Sequence, residues 1–161
     1  ENSSMRKRII DNETQPASPA DQDWLDLEHL AQVEVTSEQP ESPIEAALVP
    51  IAGVGWRAGH YGKQTIRLLF DQPRRVTRVY LAFQEDERER TQEFSLRWSP
   101  DGGASYHEIA RQQYNFSPPT TTREIENYAV DLEGMTILEL RIIPDISHGD
   151  AVASLQALRL A

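Results

Sequence analysis

Apolar and polar residues alternate singly through most of the chain beyond Trp56, the period of strands with one buried face. Residues 64–70 put Ile66, Leu68 and Phe70 on one side, and residues 76–84 put Val79, Leu81 and Phe83 opposite Arg78, Tyr80 and Ala82. Phe94, Leu96 and Trp98 sit two apart, with Ser95 and Arg97 between them. Ser99-Pro100-Asp101-Gly102-Gly103 then reverses the chain into a partner strand, 106–111: Pro fixes φ, Asp bonds its own backbone and Gly accepts positive φ. Residues 123–132 supply Ile125, Tyr128, Val130 and Leu132, and 137–143 set Leu138, Leu140 and Ile142 against Glu139 and Arg141. Residues 31–36 form a first strand and 153–160 a last one. Turns are expected at 71–75, where Pro73 stands, and at Glu133-Gly134. Upstream, Trp24, Leu25, Leu27 and Leu30 predict a short helical turn, capped by Asp21 or Asp23, that seats Trp24 on the body. Residues 38–54, with three prolines, read as a long irregular connection.

This spacing of short strands and turns, without a long helix or an internal repeat, predicts an all-β fold: an antiparallel jelly-roll β-sandwich of about eight strands. Leu68, Phe70, Leu81, Phe83, Phe94, Leu96, Leu140 and Ile142 form its expected core. If successive strands run antiparallel, the connections alternate between the two ends. The short ones at 71–75, 99–105 and 132–136 then share one end. The longer ones at 53–63, 85–91, 112–122 and 144–151 share the other. That second rim would carry Trp56, Arg57, His60, Tyr61, Arg88, Arg90, Tyr114, Asn115, Phe116 and His148. Loops on one end of a rigid scaffold are where binding residues gather.

Composition narrows the function. The chain has 161 residues, enough for one domain with a sizeable core. The expected division is a flexible acidic lead over 1–23 and a β-sandwich over 24–161. Met5 is expected to be the native start. The net charge of −10 is concentrated early: ten acidic residues and no base lie between Ile9 and Trp56. The rest is near neutral and has no basic patch, so nucleic-acid binding is not expected. No apolar run is long enough for a membrane span, and no signal-peptide core is visible. Cysteine is absent, which removes thiolate chemistry and disulfides and fits a cytoplasmic location.

An enzyme is not expected. His29, His60, His107 and His148 show no metal-site spacing. There is no nucleophile elbow, no phosphate loop (Gly53-Val54-Gly55 lacks its third glycine), and paired carboxylates occur only in surface runs such as Glu85-Asp86-Glu87. No cofactor is predicted.

Five segments carry a resemblance: Trp56-Arg57, QTIRLLFD (64–71), VTRVYLAF (76–83), FSLRWSPDGGASY (94–106) and ASLQALRL (153–160). With them the chain resembles the discoidin-like, coagulation-factor type C domain, a galactose-binding-like jelly roll. It looks most like short bacterial proteins described as carbohydrate-binding. The resemblance implies a non-catalytic glycan-binding module. Many such domains hold calcium through an Asp-Gly-x-x-x-Thr-x-Trp segment and an acidic residue in the last strand. Here Ile51-Ala52-Gly53-Val54-Gly55 precedes Trp56 and Ala157 takes the last-strand position, so that site is not expected and no metal-binding residue is assigned, while binding through backbone carbonyls stays open.

Sugar sites stack an aromatic face on the pyranose and bond hydroxyls with a few placed polar groups. The candidate ligand-binding residues are Trp56, Arg57, His60, Tyr61, Arg111, Tyr114 and Asn115. Tyr61 or Trp56 would stack on the ring, and Arg57, Arg111 and Asn115 would bond hydroxyls or a carboxylate. Trp56 reads equally as core. Residues 114–116 read equally as a plug of the sandwich end, and Arg57 and Arg111 as partners of rim carboxylates. The alternative function is a protein–protein interaction domain that docks through an apolar patch, the acidic lead or residues 85–90.

Overall fold

The computed structural model describes residues 23–50 and 55–161; the expected lead over 1–23 and the Ile51–Val54 stretch lie almost wholly outside them. Among the described residues there are eight strands and two one-turn helices. They are α1 (Leu27–Leu30), β1 (Ala31–Val35), α2 (Glu45–Leu48), β2 (Trp56–Arg57), β3 (Gln64–Gln84), β4 (Arg90–Ser99), β5 (His107–Phe116), β6 (Arg123–Ile143), β7 (Ser154–Leu155) and β8 (Ala157–Leu160). All pairings are antiparallel, in the order β1-β3-β6-β4-β5, with β8 on β3 and a separate β2-β7 pair.

The expected turns at 71–75 and 133–134 are not turns. β3 and β6 each run 21 residues straight through them. The β3–β6 ladder slips from Leu69↔Ile137 to Arg74↔Met135 and then to Val76↔Leu132, so both strands bulge at the same place. Pro73 falls where β3 has no partner on β6, and its missing N–H costs the ladder nothing. The bulges bend the sheet over itself. Residues 64–70 and 137–143 lie in one layer with β1, β4 and β5, and 76–84 and 123–132 lie in the other with β8. Phe83 stacks on Phe94 at 5.3 Å, across the gap between the layers.

The expected core is buried throughout: Phe70 is 9% exposed and Leu68, Leu81, Phe83, Phe94, Leu96, Leu140 and Ile142 at most 1%. Leu96→Ala therefore opens a cavity between the layers. Urea unfolding should register a loss of about 2–5 kcal/mol; an unchanged midpoint would place Leu96 outside the core. Ile125 is a correction. It is exposed at 42%, and Glu124 points inward instead, because the inward set on this half of β6 is 124, 126, 128, 130 and 132. Tyr80 and Ala82, expected outside, are buried too. The N-terminal segment covers them: Trp24 packs on Tyr80 at 6.0 Å. Buried Arg159 on β8 donates to the carbonyls of Ala47 (2.6 Å) and Val49 (3.5 Å), satisfying the end of α2. The cap of α1 is Asp26, without a side-chain capping bond; its carboxylate is held by the His29 ring at 2.6 Å.

The hairpin at 99–105 forms as expected. Gly102 and Gly103 have φ of 70° and 97°, and the Asp101 carboxylate accepts from Ser99 Oγ (2.7 Å), Ser105 N (2.8 Å) and Ser105 Oγ (2.6 Å). The Ser105 and Ser99 hydroxyls hold its pKa down to about 2. Gly102 N–H donates to Thr136 Oγ1, which donates to Ser99 O, tying this turn to the β6 bulge. The short end of the sandwich is a lock, and the long loops meet at the other end.

Candidate functional site

Hydrogen bonds join the four long connections into one rim. Ala58 N and Gly62 N donate to Ala153 O and Ala151 O, Glu85 N to Thr122 O, and Ile146 N to Thr91 O. Arg88 pairs with Asp150 at 2.9 Å. Arg90 is the internal fastener: its side chain is buried and donates to Glu85 Oε1 (2.7 Å), Gln92 Oε1 (3.2 Å) and Pro144 O (2.9 Å), with its guanidinium over Phe116. Burial works against the Glu85 charge, but Arg90 and the N–H groups of Glu87 and Arg88 hold its carboxyl below the ordinary range.

The segment 55–62 is rigid for reasons in its own sequence. Gly55 adopts φ 79°, and a Cβ there would come within 2.5 Å of Leu155 O, so only glycine fits. Ser37 fastens the residues downstream of it: its carbonyl accepts the Trp56 indole N–H (2.9 Å), and its hydroxyl accepts Gly59 N–H (2.8 Å) and donates to Gln64 Oε1 (2.7 Å).

Two cavities open on this rim. The first, about 370 Å³, is lined by Arg57, Gln84, Glu85, Asp86, Glu87 and Gln156, with Trp56 beneath. The second, about 380 Å³, is lined by Tyr61, Lys63, Ile143, Pro144, Asp145 and His148, among others. Tyr61 is 64% exposed at its mouth. His148 stands at φ 72°, an uncommon conformation for a side-chain-bearing residue, though one histidine adopts more readily than most. Asp145 is committed to its own turn: it accepts Ser147 N–H (3.1 Å) and Oγ–H (2.8 Å), which offset burial and hold it below the usual carboxylate range.

The seven sequence candidates separate. Tyr61 lines the second cavity and Arg57 the first. Exposed His60 lies between Tyr61 O (3.3 Å) and Gln64 Nε2 (3.4 Å), propping the loop. Trp56 is fully buried, so its core reading holds and its stacking role does not. Tyr114 and Asn115 belong to β5 rather than a loop. Tyr114 packs edge-on to buried Phe116 at 5.0 Å, and Asn115 accepts from Thr91 Oγ at 2.9 Å. Arg111 sits on β5 opposite Ser95, off the rim, and pairs with Glu93 (3.0 Å) and Glu108 (3.2 Å). Sequence reasoning missed Lys63 and gave His148 no role; the signals were Tyr-Gly-Lys at 61–63 and Ser-His-Gly at 147–149.

Below the rim, between the layers, lies Glu124. Gln92 Nε2 donates to its Oε1 at 3.2 Å, and Oε2 has no partner. Burial, and then the neighbouring Glu126, push its pKa up to about 8. A carboxyl that keeps its proton in the folded state, while the unfolded chain loses it near pH 4.5, makes stability fall as pH rises between these values. Glu124→Gln should flatten that decline and raise Tm at pH 8.5. A Tm lowered at that pH would show that the ionised form is stabilising. Among the described residues the one group with metal-like spacing, Asp26, Glu28 and His29, is exposed and remote from the rim.

No protein-family profile and no curated protein matches this sequence. Solved structures do match its fold. A carbohydrate-binding module of family 32 from AlyQ, in complex with 4,5-unsaturated mannuronic acid, superposes at TM-score 0.58 with 18% identity, over 82% of this chain and 95% of that one. The family 32 module of Clostridium perfringens NanJ, in complex with galactose, gives 0.57 and 14%, over 81% and 92%. A Ruminococcus gnavus fucosidase in complex with fucose gives 0.59 and 8%, over 81% of this chain but 24% of that one. The chain therefore has the galactose-binding-like, discoidin-like β-sandwich fold that the family 32 modules share.

Proposed function

We propose that this chain is a non-catalytic glycan-binding module that seats a sugar ring on Tyr61 in the rim cavity. The observation that carries the reading is an aromatic ring 64% exposed at the mouth of a cavity of about 380 Å³, with Lys63 and His148 on its wall. An exposed aromatic face offers the apolar side of a pyranose a platform, and a few polar groups fix its orientation. Modules of the same fold in complex with galactose and with an unsaturated mannuronic acid support it. The acids on the rim do not favour a glycosidase. Asp145 in the Tyr61 cavity is held below its usual range by its own turn, Glu85 in the Arg57 cavity is held below it by Arg90 and backbone N–H groups, and Glu124, with its raised pKa, lines neither. A glycosidase needs an acid of raised pKa facing a second carboxylate across the sugar.

The test is a broad glycan array probed with the intact chain, followed by calorimetric titration of the hits. Calorimetry is preferred to tryptophan fluorescence because Trp56 is buried. Sugar contacts are wet and modest, so Kd should fall between micromolar and millimolar, about −8 to −4 kcal/mol. An array blank at millimolar-equivalent density would transfer the function to a protein partner.

A further inference from the structure

The outer face of the five-stranded layer carries a charge pattern that strand register makes legible. Glu34, Arg67, Glu139, Arg97 and Glu108 fall in one row across β1, β3, β6, β4 and β5, alternating in sign. One row nearer the rim, the register runs Thr65, Arg141, Ser95 and Arg111. This second row has two guanidinium groups with a short hydroxyl between them and no acid.

Because Ser95 is small, the two arginines flank a hollow of about 80 Å³, walled also by Lys63, Glu93 and Ile143. Its cations are incompletely used. Arg141 reaches Glu139 through Nε alone, at 3.0 Å and too obliquely for a hydrogen bond, while Glu139 is already taken by Arg67 and Arg97. Lys63 forms no ion pair among the described residues. Glu93 divides its two oxygens between Arg111 (3.0 Å) and Gln113 (2.9 Å). Arg111 is also held by Glu108 (3.2 Å), so the hollow itself is lined by three cations and one carboxylate, with Lys63 and Arg141 the less engaged, on a protein whose net charge is −10. The hollow is too small for a pyranose ring but large enough for a carboxylate or a sulfate group. Lys63 and Ile143 line both this hollow and the Tyr61 cavity, so the two adjoin.

We infer that the Ser95 hollow binds the anionic group, carboxylate or sulfate, of an acidic glycan whose neighbouring ring lies on Tyr61. The inference rests on the proposed rim site and names its ligand class. Arginine suits the task because its planar fork meets two oxygens at once, and lysine adds a point charge.

The test is calorimetry on the intact chain with three probes: an oligogalacturonate, its methyl ester and a sulfated galacto-oligosaccharide. The wild type should bind one of the acidic probes at least about tenfold more tightly than the ester, as charge-assisted hydrogen bonds predict. Which acid gains identifies the group. Ser95→Asp puts a carboxylate into the hollow without touching the rim cavity, and should erase the margin while leaving the ester unchanged. Arg111→Ala should do the same if it folds with an unchanged melting transition. Equal binding of all three probes by the wild type, or a margin that survives both substitutions, overturns the proposal. Tyr61→Ala separates the two readings. Acid binding lost in Tyr61→Ala but kept in Ser95→Asp refutes the hollow and leaves the rim standing. The reverse pattern refutes the rim platform and leaves the hollow as a site of its own.

Discussion

Glu139→Ala should cost the fold about 3 kcal/mol, read as a shift in the urea midpoint at neutral pH. Glu139 is fully buried in the middle of an exposed sheet face because three arginines close over it. Arg67 Nε donates to Oε2 at 2.7 Å, Arg97 Nε to Oε1, and Arg141 Nε stands 3.0 Å from Oε1. Arg97 in turn lies 3.9 Å over the Tyr106 ring. Burial raises the cost of the Glu139 charge, but the Arg97 and Arg67 hydrogen bonds outweigh it and hold the carboxyl below its ordinary range. Removing one partner of a buried pair typically costs 3–5 kcal/mol, because the partner left behind is desolvated and uncompensated. The lower figure applies here because the three guanidinium groups keep 29–38% side-chain exposure and can turn to water. The pH dependence has a fixed sign: with a depressed folded pKa, the stabilisation is present above about pH 4.5 and lost on acidification. A variant within about half a kcal/mol of wild type would mean that the ladder only orders side chains on the surface.

The row that holds Glu139 also shows where sequence reading stops. Alternation puts Glu139 and Arg141 on the polar face of their strand correctly. That the polar face includes a buried carboxylate depends on Arg67 and Arg97, which are 72 and 42 residues away in the chain. Pairing over such separations is a property of register, and local pattern misplaces register at one point that matters. Pro73 and Gly134 carry ordinary turn chemistry, yet both sit in opposed bulges of continuous strands. Local signals cannot distinguish a reversal from a bend, because both need a residue that tolerates an unpaired or left-handed backbone. The partition of loops between the two ends survives the error. A strand that bends over the edge of a sandwich sends the chain back just as a hairpin would.

The candidate site is legible where a residue's surroundings are local and opaque where they are not. Tyr61 lies between two glycines, and its exposure accords with that context. Trp56 is ambiguous in sequence because its burial is settled by Ser37 and Leu155, remote along the chain. Ile125 and Glu124 exchange places because a half-strand has no fixed phase until its neighbours are known. Arg111 has the right chemistry for a ligand but stands on the sheet face beside the rim rather than in a rim loop, since β5 extends to Phe116 rather than ending near residue 111.

Tyr61→Ala should remove glycan binding while leaving the fold intact. Tyr61 is 64% exposed, and its one hydrogen bond among the described residues, to the His60 ring, uses the backbone carbonyl that alanine retains. Surface substitutions of this kind usually change stability by no more than about half a kcal/mol. Losing an aromatic anchor at the centre of a small site costs about 2–4 kcal/mol. That weakens Kd by about thirtyfold to about a thousandfold, a loss calorimetry reads directly for a micromolar glycan and one that takes a millimolar glycan beyond its range. Trp56→Ala provides the contrast. It empties a fully buried indole pocket and leaves Ser37 O without its donor, so about 3–5 kcal/mol of stability should go, and binding only with it. Retained binding in Tyr61→Ala at an unchanged Tm would remove the ring from the site. A Tm drop as large as that of Trp56→Ala would make Tyr61 a packing residue, and the cavity beside it a gap in the rim.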